Sequence, residues 1–456
     1  MERNEFVRRL FARAGEAGEG IASEVCYESG SSFEVSVKDG GILQYSVSDS
    51  TGLGFRVLRN GRTGTASTQI LDEEAVAQLV DGALENAALV ESEDEQFMFP
   101  GSPEYPKLAL FSPAVEAMTA AEKIGMAKRL EQLALRQDPR IQQVEECAVF
   151  SSSDARTMTN TLGLNVSTEV NLLGGYVVVV AREGEKVNTG FKVFFTSDPA
   201  QVDLEAVAKA AAKEAIDGLD GAPVPSGRYR VLLRNDVAGN LLATFAGIFS
   251  ADNAQRELSR LKGREGERIA AECVTLMDDP HRAGSAASTP FDGEGVATRV
   301  KAVVEGGRLN TLLHNLKTAY KQGVETTANA ARPTYGSTVG IAPTNFYFAP
   351  SDADPDAMLS LTGDGLLITD LQGMHAGANP ITGDFSLAAK GFRIEGGRLG
   401  APVNQITVAG NFYELLRDIE AVGADLDFRS PGISCFGSPS LLVKGLSVAG
   451  GTGAEP

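Results

Sequence analysis

Residues 33–68 read FEVSVKDGGILQYSVSDSTGLGFRVLRNGRTGTAST. Apolar and polar residues alternate in short runs, the two-residue period of a strand with one covered face. Asp39-Gly40-Gly41 and Asn60-Gly61 interrupt the alternation. Asn-Gly suits the two-residue turn of a tight hairpin, whose central residues both need positive φ. The spacing predicts an antiparallel meander over about 33–68. The period changes on both flanks. Phe6, Leu10 and Phe11 lie near helical spacing in residues 2–17. Residues 71–90, LDEEAVAQLVDGALENAALV, return to that spacing behind acids that suit a helix N-terminus. Hairpin strands between helices predict an α+β fold, with mixed antiparallel sheets and flanking helices.

The stretch FPGSPEYPKLALFSP (99–113) marks a boundary, because proline fixes φ and removes a donor. Beyond it the pattern predicts a helix near 115–137, a run of strands, and a helix near 202–217. DGAPVPSGRYRVLL (220–233) is a second boundary, ending in a strand. The expected division is an N-terminal α+β domain (1–98), a middle α+β domain (107–222) and a strand-rich C-terminal domain (227–456). In the last, Asp236 is the expected N-cap of a helix. Glu-Gly-Gly-Arg-Leu occurs twice, at 305–309 and 395–399. Each copy reads as a hairpin turn, although a duplicated substructure would also produce the match.

The chain has 456 residues, 43% of them hydrophobic, and a formal net charge of -19. That is too apolar for a disordered protein and too acidic for non-specific nucleic-acid binding, which needs a basic face. No run of eighteen apolar residues is present, so no membrane helix is expected. The opening residues, MERNEFVRRLFARAGEAGEG, lack an apolar signal core. A cytoplasmic setting is the default. Cys26, Cys147, Cys273 and Cys435 each lie more than a hundred residues from the next, which speaks against a zinc ribbon or a dense disulfide framework.

The most polar stretch is DDPHRAGSAASTPFDGEG, residues 278–295. It reads as a polar loop held by Asp-backbone hydrogen bonds, or as paired carboxylates for acid–base work; the loop reading is favoured. It is not a calcium loop, whose oxygen ligands follow a fixed series. His281, His314 and His375 have no HExxH or HExxxH spacing. GLGFRVLRNG (52–61) leads into no helix, so it supports no nucleotide site. Cys435 has no neighbouring histidine in sequence and reads as a small packed residue rather than a nucleophile.

The order of motifs says more than any one of them. GLGFRVLRNGRTGTAST is followed by LMDDP, FDGEGV and VVEGGRLNTLLHNLKTAYKQGVETTANAARP. Then come ITGDFSLAAKGFRIEGGRLGAPVNQITVAGN and SPSLLVKGLSVAG. This series resembles the TldD/PmbA family, known as modulators of DNA gyrase and as peptide-processing proteases. The resemblance covers nearly the whole chain and is most specific over 276–450. TldD-type chains carry an HExxxH helix that binds the catalytic zinc. The corresponding segment here, DVAGNLLATFAGIFSAD (236–252), has no histidine, so the chain resembles the TldE/PmbA branch. The resemblance implies a heterodimer with a TldD-type metalloprotease subunit that holds the zinc, and no cofactor on this chain. It implies extended peptide substrates, and the chain alone is expected to form a homodimer, its partner-facing surface after residue 227. Candidate groove residues are Asn329, Arg332, Asp384, Phe385, Ser386 and Cys435, with Asp384 also expected to form an Asx turn. Gly293 stands where the family commonly has an acid, and Ala328 where it often has glycine. Two other functions stay open: a non-enzymatic regulator of gyrase or of a toxin–antitoxin system, and a metal-free hydrolase using Cys435.

Overall fold

The structure is a computed structural model that describes residues 1–91, 94–429 and 432–451. The predicted meander forms as β1 (Ala22–Lys38), β2 (Gly41–Arg59) and β3 (Arg62–Thr68). Asp39, Gly40, Asn60 and Gly61 all take positive φ at its two turns, as such hairpins require. β1 begins well before residue 33 because Ala22–Cys26 is buried at every position, and a strand covered on both faces shows no alternation.

β4 (Ile141–Asn160), β5 (Asn165–Glu183) and β6 (Lys186–Thr196) join the meander in one six-stranded sheet, ordered β3-β2-β1-β4-β5-β6. The seam is β1 against β4, antiparallel from Glu24↔Asn160 to Ser36↔Ala148. The sheet is thus continuous across the proline-rich connector. α1 (Arg3–Glu16) and α2 (Glu73–Ala88) cover one part of it, burying Phe6, Leu10, Leu79 and Val80 against Phe55 and Val57. The Asp72 carboxylate caps α2 by accepting from Ala75 N at 2.9 Å. After the single turn α3 (Pro113–Glu116), α4 (Ala120–Leu135) and α5 (Leu204–Asp217) pack Leu130, Ala134 and Ala211 against Val149 and Val177. β3 pairs only with Leu53–Arg59 of β2. Residues 41–51 of β2 are an edge bonded to β1 alone among the described residues.

The C-terminal part holds two more six-stranded sheets. In one, β7 (Gly227–Leu233) lies between residues 365–372 and 441–449, and a pairing of 407–409 with 447–449 closes the sheet on itself. The other carries Leu276–Asp278, Asn345–Phe348 and Cys435–Ser438 side by side. Their shared core includes Phe245, Phe249, Phe346, Phe385 and Phe412. α6 (Asn235–Phe245) begins one residue earlier than the expected Asp236 cap, with Arg234 at the N-cap. Asp236 lies inside the first turn, where its carboxylate ion-pairs with Arg234 at 2.7 Å and accepts from Val237 N at 2.9 Å. Both Glu-Gly-Gly-Arg-Leu copies are hairpin turns with their glycines at positive φ, and they lie in different sheets. Turn chemistry accounts for the match. No helix among the described residues is long and apolar enough to cross a membrane.

Candidate functional site

The six-stranded sheet meets the C-terminal part along a buried ionic seam. Glu24 on β1 is fully buried and accepts from Arg56 at 3.1 Å and from Arg332 at 3.0 Å. Four residues further along β1, Glu28 pairs with Arg156 at 2.6 Å and accepts from the Tyr335 backbone N–H at 3.0 Å. Arg156 also donates to the Arg332 carbonyl at 2.8 Å. Three charged side chains of the sheet, Glu24, Glu28 and Arg156, therefore clamp residues 332–335. The approach is close because β2 offers glycine. A Cβ on Gly54 would lie 1.8 Å from the Tyr335 carbonyl oxygen.

Beside this seam lies a cleft of about 440 Å³. The sheet lines it with Glu28, Gly30, Gly52 and Arg156, and the facing wall is formed by residues 286–293 and 328–344. The acids of 278–295 turn out to hold this wall together. Asp278 is fully buried and accepts four hydrogen bonds: Thr344 N and Oγ1, both 2.7 Å, Asn329 Nδ2 at 2.7 Å and Lys301 Nζ at 2.8 Å. Asp279 accepts from His281 N at 2.9 Å. Asp292 accepts the backbone N–H groups of Glu294, Val296 and Ala330. Glu294 accepts from Leu316 N at 2.8 Å, at the start of the helix Leu316–Gln322. Burial, and then the charge of Asp292, push the Glu294 carboxyl above its ordinary value.

The candidate residues separate. Asn329 and Arg332 both line the cleft. Gly293 packs against this wall, where a Cβ would sit 2.9 Å from Arg332 N, too close for the acid common in the family. Ala328 takes φ 55, the conformation glycine adopts freely. Cys435 is buried and borders an adjoining cavity with Arg282 and Ser285. Burial raises its thiol pKa. Asp384, Phe385 and Ser386 lie elsewhere, at the start of the strand Asp384–Glu395. Phe385 is core, between Phe245 and the strand pair, and Asp384 and Ser386 are exposed. The expected Asx turn at Asp384 is corrected. Its carboxylate accepts from Asn411 Nδ2 across the strand pair at 2.7 Å, while Asn379 Oδ1 accepts the local amides of Ile381 and Thr382. Asn411 is opposite Asp384 in the ladder, and that long-range register decided the outcome. Glu24, Glu28, Arg156 and Tyr335 escaped the sequence reading, since a charge within a strand usually faces solvent and Tyr335 lies in a turn. Gly-x-Gly within a strand, at 52–54, was the one usable signal of close backbone approach.

A larger cavity of about 660 Å³ separates β6 and α5 from the closed sheet. Several of its charges pair with one another: Arg234 forks between Asp236 and Glu214, and Lys192 lies 3.1 Å from Glu214. The donor set for a catalytic zinc does not fit either. Among the described residues no three His, Cys, Asp or Glu side chains gather to hold a metal ion. His281 Nε2 faces Thr298, and His314 is buried, which lowers its pKa. α6 buries Val237, Leu241, Leu242 and Phe245 in the core.

Three family models match the chain in series. They are PmbA/TldA metallopeptidase domain 1 over residues 23–87, the central domain over 113–219 and the C-terminal domain over 226–450. The chain is 29% identical to Metalloprotease PmbA of Escherichia coli O157:H7, covering 95% of this chain and 93% of that one. It superposes with a TM-score of 0.90 on a proposed modulator of DNA gyrase from Thermotoga maritima MSB8, 34% identical, covering 98% and 100% of the two chains. TldE from Thermococcus kodakarensis has the same fold, with a TM-score of 0.88 at 23% identity over 98% of this chain and 100% of that one. The unbroken series of domain matches, carried on one shared fold, places this chain in the PmbA/TldD metallopeptidase family.

Proposed function

We propose that this chain is the PmbA/TldE-like subunit of a TldD/TldE-type zinc metalloprotease that degrades or processes unfolded peptides in the cytoplasm. It shapes the chamber and holds an extended peptide, while a TldD-type partner holds the zinc. The observation that carries this reading is a built cleft whose facing wall is held in place by acids. Asp278 and Asp292 are saturated by backbone, amide and lysine donors. Acids spent on holding a wall are not free to act as bases. Its small residues favour a main chain, since extended peptides gain affinity from backbone hydrogen bonds. The Cys435 hydrolase is the weaker reading, because a buried thiol with a raised pKa is a poor nucleophile. A regulator acting on DNA has the acidic net charge of -19 against it.

Alone, the chain pairs with a second copy. The exposed edge of β2, rather than the expected surface after residue 227, supports this: Ile42, Leu43, Tyr45 and Val47 are 49–66% exposed on a strand that β1 covers along one edge alone. A two-fold axis through Tyr45 would place Leu43 opposite Val47 in an antiparallel pair. Edges are usually blunted by lysine, proline or charge, and residues 41–48 have none.

The test is co-purification with a tagged TldD-type chain, then digestion of an unfolded peptide by each chain and by both together. We expect a stable complex, turnover only with the partner present, altered turnover when this chain is left out, and little zinc on this chain alone. Peptide turnover by this chain alone at the rate of the pair, or no complex, would overturn the proposal.

A further inference from the structure

The floor of the cleft can be followed strand by strand. Gly30 is opposite Asp154 and Glu28 opposite Arg156 where β1 meets β4. Side chains opposite each other in a ladder stand on one face, and every second residue of a strand joins them. Asp154 therefore shares a face with Glu28 and Arg156, and all three line the cleft. A Cβ built on Gly30 would lie 2.5 Å from Asp154 Oδ1, so the carboxylate lies over a strand that carries no side chain there. Solvent reaches Asp154, which is exposed. Five charged residues line the cleft: Glu28, Asp154, Arg156, Asp292 and Arg332. Glu28 and Arg156 pair with each other, Arg332 pairs with Glu24, and Asp292 takes three backbone N–H groups. Asp154 has neither an ion pair nor a backbone donor among the described residues. Arg156 is not free to turn to it, being held by Glu28 and by the Arg332 carbonyl. Partial burial holds the Asp154 carboxyl above its ordinary value, and the Ser152 hydroxyl offsets part of that.

The one unspent charge of the cleft is thus negative, and a cation beside it would favour its ionised form. Its position says what brings that cation. Asp154 lies midway along the cleft-lining stretch of β4, between Ser152 and Arg156. A peptide following the floor passes Asp154 and does not end at it, so a side chain meets the carboxylate. We infer that Asp154 gives the cleft a sequence preference, receiving the ammonium or guanidinium of a lysine or arginine side chain on an extended peptide. This rests on the peptide-groove reading above and names the substrate class, peptides with a basic residue at one fixed place. Asp154 is a specificity-determining residue with no part in bond cleavage.

The test uses the full chain and an N-acetylated octapeptide of alternating serine and valine, carrying an uncharged fluorophore at its C-terminus, with binding read by anisotropy. A series of analogues replaces each residue in turn by lysine, and a second series by glutamate. For wild type, lysine at one position is expected to strengthen binding about three- to tenfold over the neutral parent, between the effect of an exposed ion pair and that of a hydrogen bond to a charged group. Glutamate there weakens it, and added salt shrinks both differences. In Asp154→Asn the lysine and neutral peptides bind alike. In Asp154→Lys the order reverses, and glutamate at that position binds better than lysine; this variant decides the matter should the asparagine variant not fold. If wild type binds the neutral peptide but lysine helps at no position, or if the preference persists in the variants, the role of Asp154 is wrong and the groove stands. A gain produced by a free α-amino group in place of the acetyl, and by no lysine, would assign Asp154 to the chain end and overturn the side-chain assignment. If wild type binds no peptide at all, both the groove reading and this inference fall.

Discussion

The ring of Tyr335 fills the space that a side chain on Gly52 would need: a Cβ built there would lie 2.0 Å from the ring carbons. Two parts of the chain nearly three hundred residues apart meet at this point, and the cleft opens beside it. Gly52→Val forces the ring out of its seat. Overpacking of this kind costs typically 1–3 kcal/mol, and urea denaturation is expected to show a loss in that range. The same variant should bind peptide more weakly than its loss of stability explains. Unchanged stability and binding would show that Tyr335 is not fixed there.

Glu24 answers to two guanidiniums, so its removal differs from the removal of either arginine. Glu24→Ala strands two buried positive charges and is expected to cost at least the ~3–5 kcal/mol of a broken buried pair. Arg332→Ala leaves Glu24 still paired with Arg56 at 3.1 Å and should cost clearly less. Denaturation curves that rank the two variants in the opposite order would refute this account of the seam.

Glu294 makes stability depend on pH in a definite direction. Its folded-state pKa is raised from 4.5 by burial and by Asp292. The stabilisation it contributes is complete below the unfolded value and is lost as pH rises through the folded one. Glu294→Gln keeps an oxygen for Leu316 N and never carries charge. Its stability relative to wild type should therefore increase between pH 5 and pH 8, by at least about 1 kcal/mol, the equivalent of one pKa unit. Parallel stability profiles for the two proteins would contradict the raised pKa.

Thiol labelling separates the binding reading from the Cys435 hydrolase. Cys273 is exposed, whereas Cys26, Cys147 and Cys435 are buried. Burial raises the thiol pKa of all four, so none is activated. Under native conditions at neutral pH, iodoacetamide should modify Cys273 first and Cys435 at least about tenfold more slowly. Mass spectrometry showing Cys435 labelled first would revive the thiol enzyme.

The open edge of β2 gives a test of self-association. Leu43→Glu with Val47→Glu places charge on the edge, a device natural sheets use against strand pairing. Light scattering should show wild type as a dimer at micromolar concentration and the double variant shifted to monomer, with unchanged thermal stability. A variant that remains dimeric would move the interface elsewhere.

The sequence by itself determined what local chemistry can decide. Asn60-Gly61 and both Gly-Gly pairs encode their turns because positive φ is a property of those residues. The helix at Glu73–Ala88 is legible from its spacing and its opening acids, and the order of motifs pointed to the family. The tertiary structure decided the site. Glu24 and Arg332 are 308 residues apart, and no periodicity records which face of one strand will meet which loop. The same limit separated the candidates. Asn329 and Arg332 reached the cleft, while Phe385 was drawn into the aromatic core and Asp384 was claimed by Asn411 across a strand pair. The family resemblance named candidate groove residues. Packing chose among them, because burial and hydrogen-bond partners depend on the whole fold.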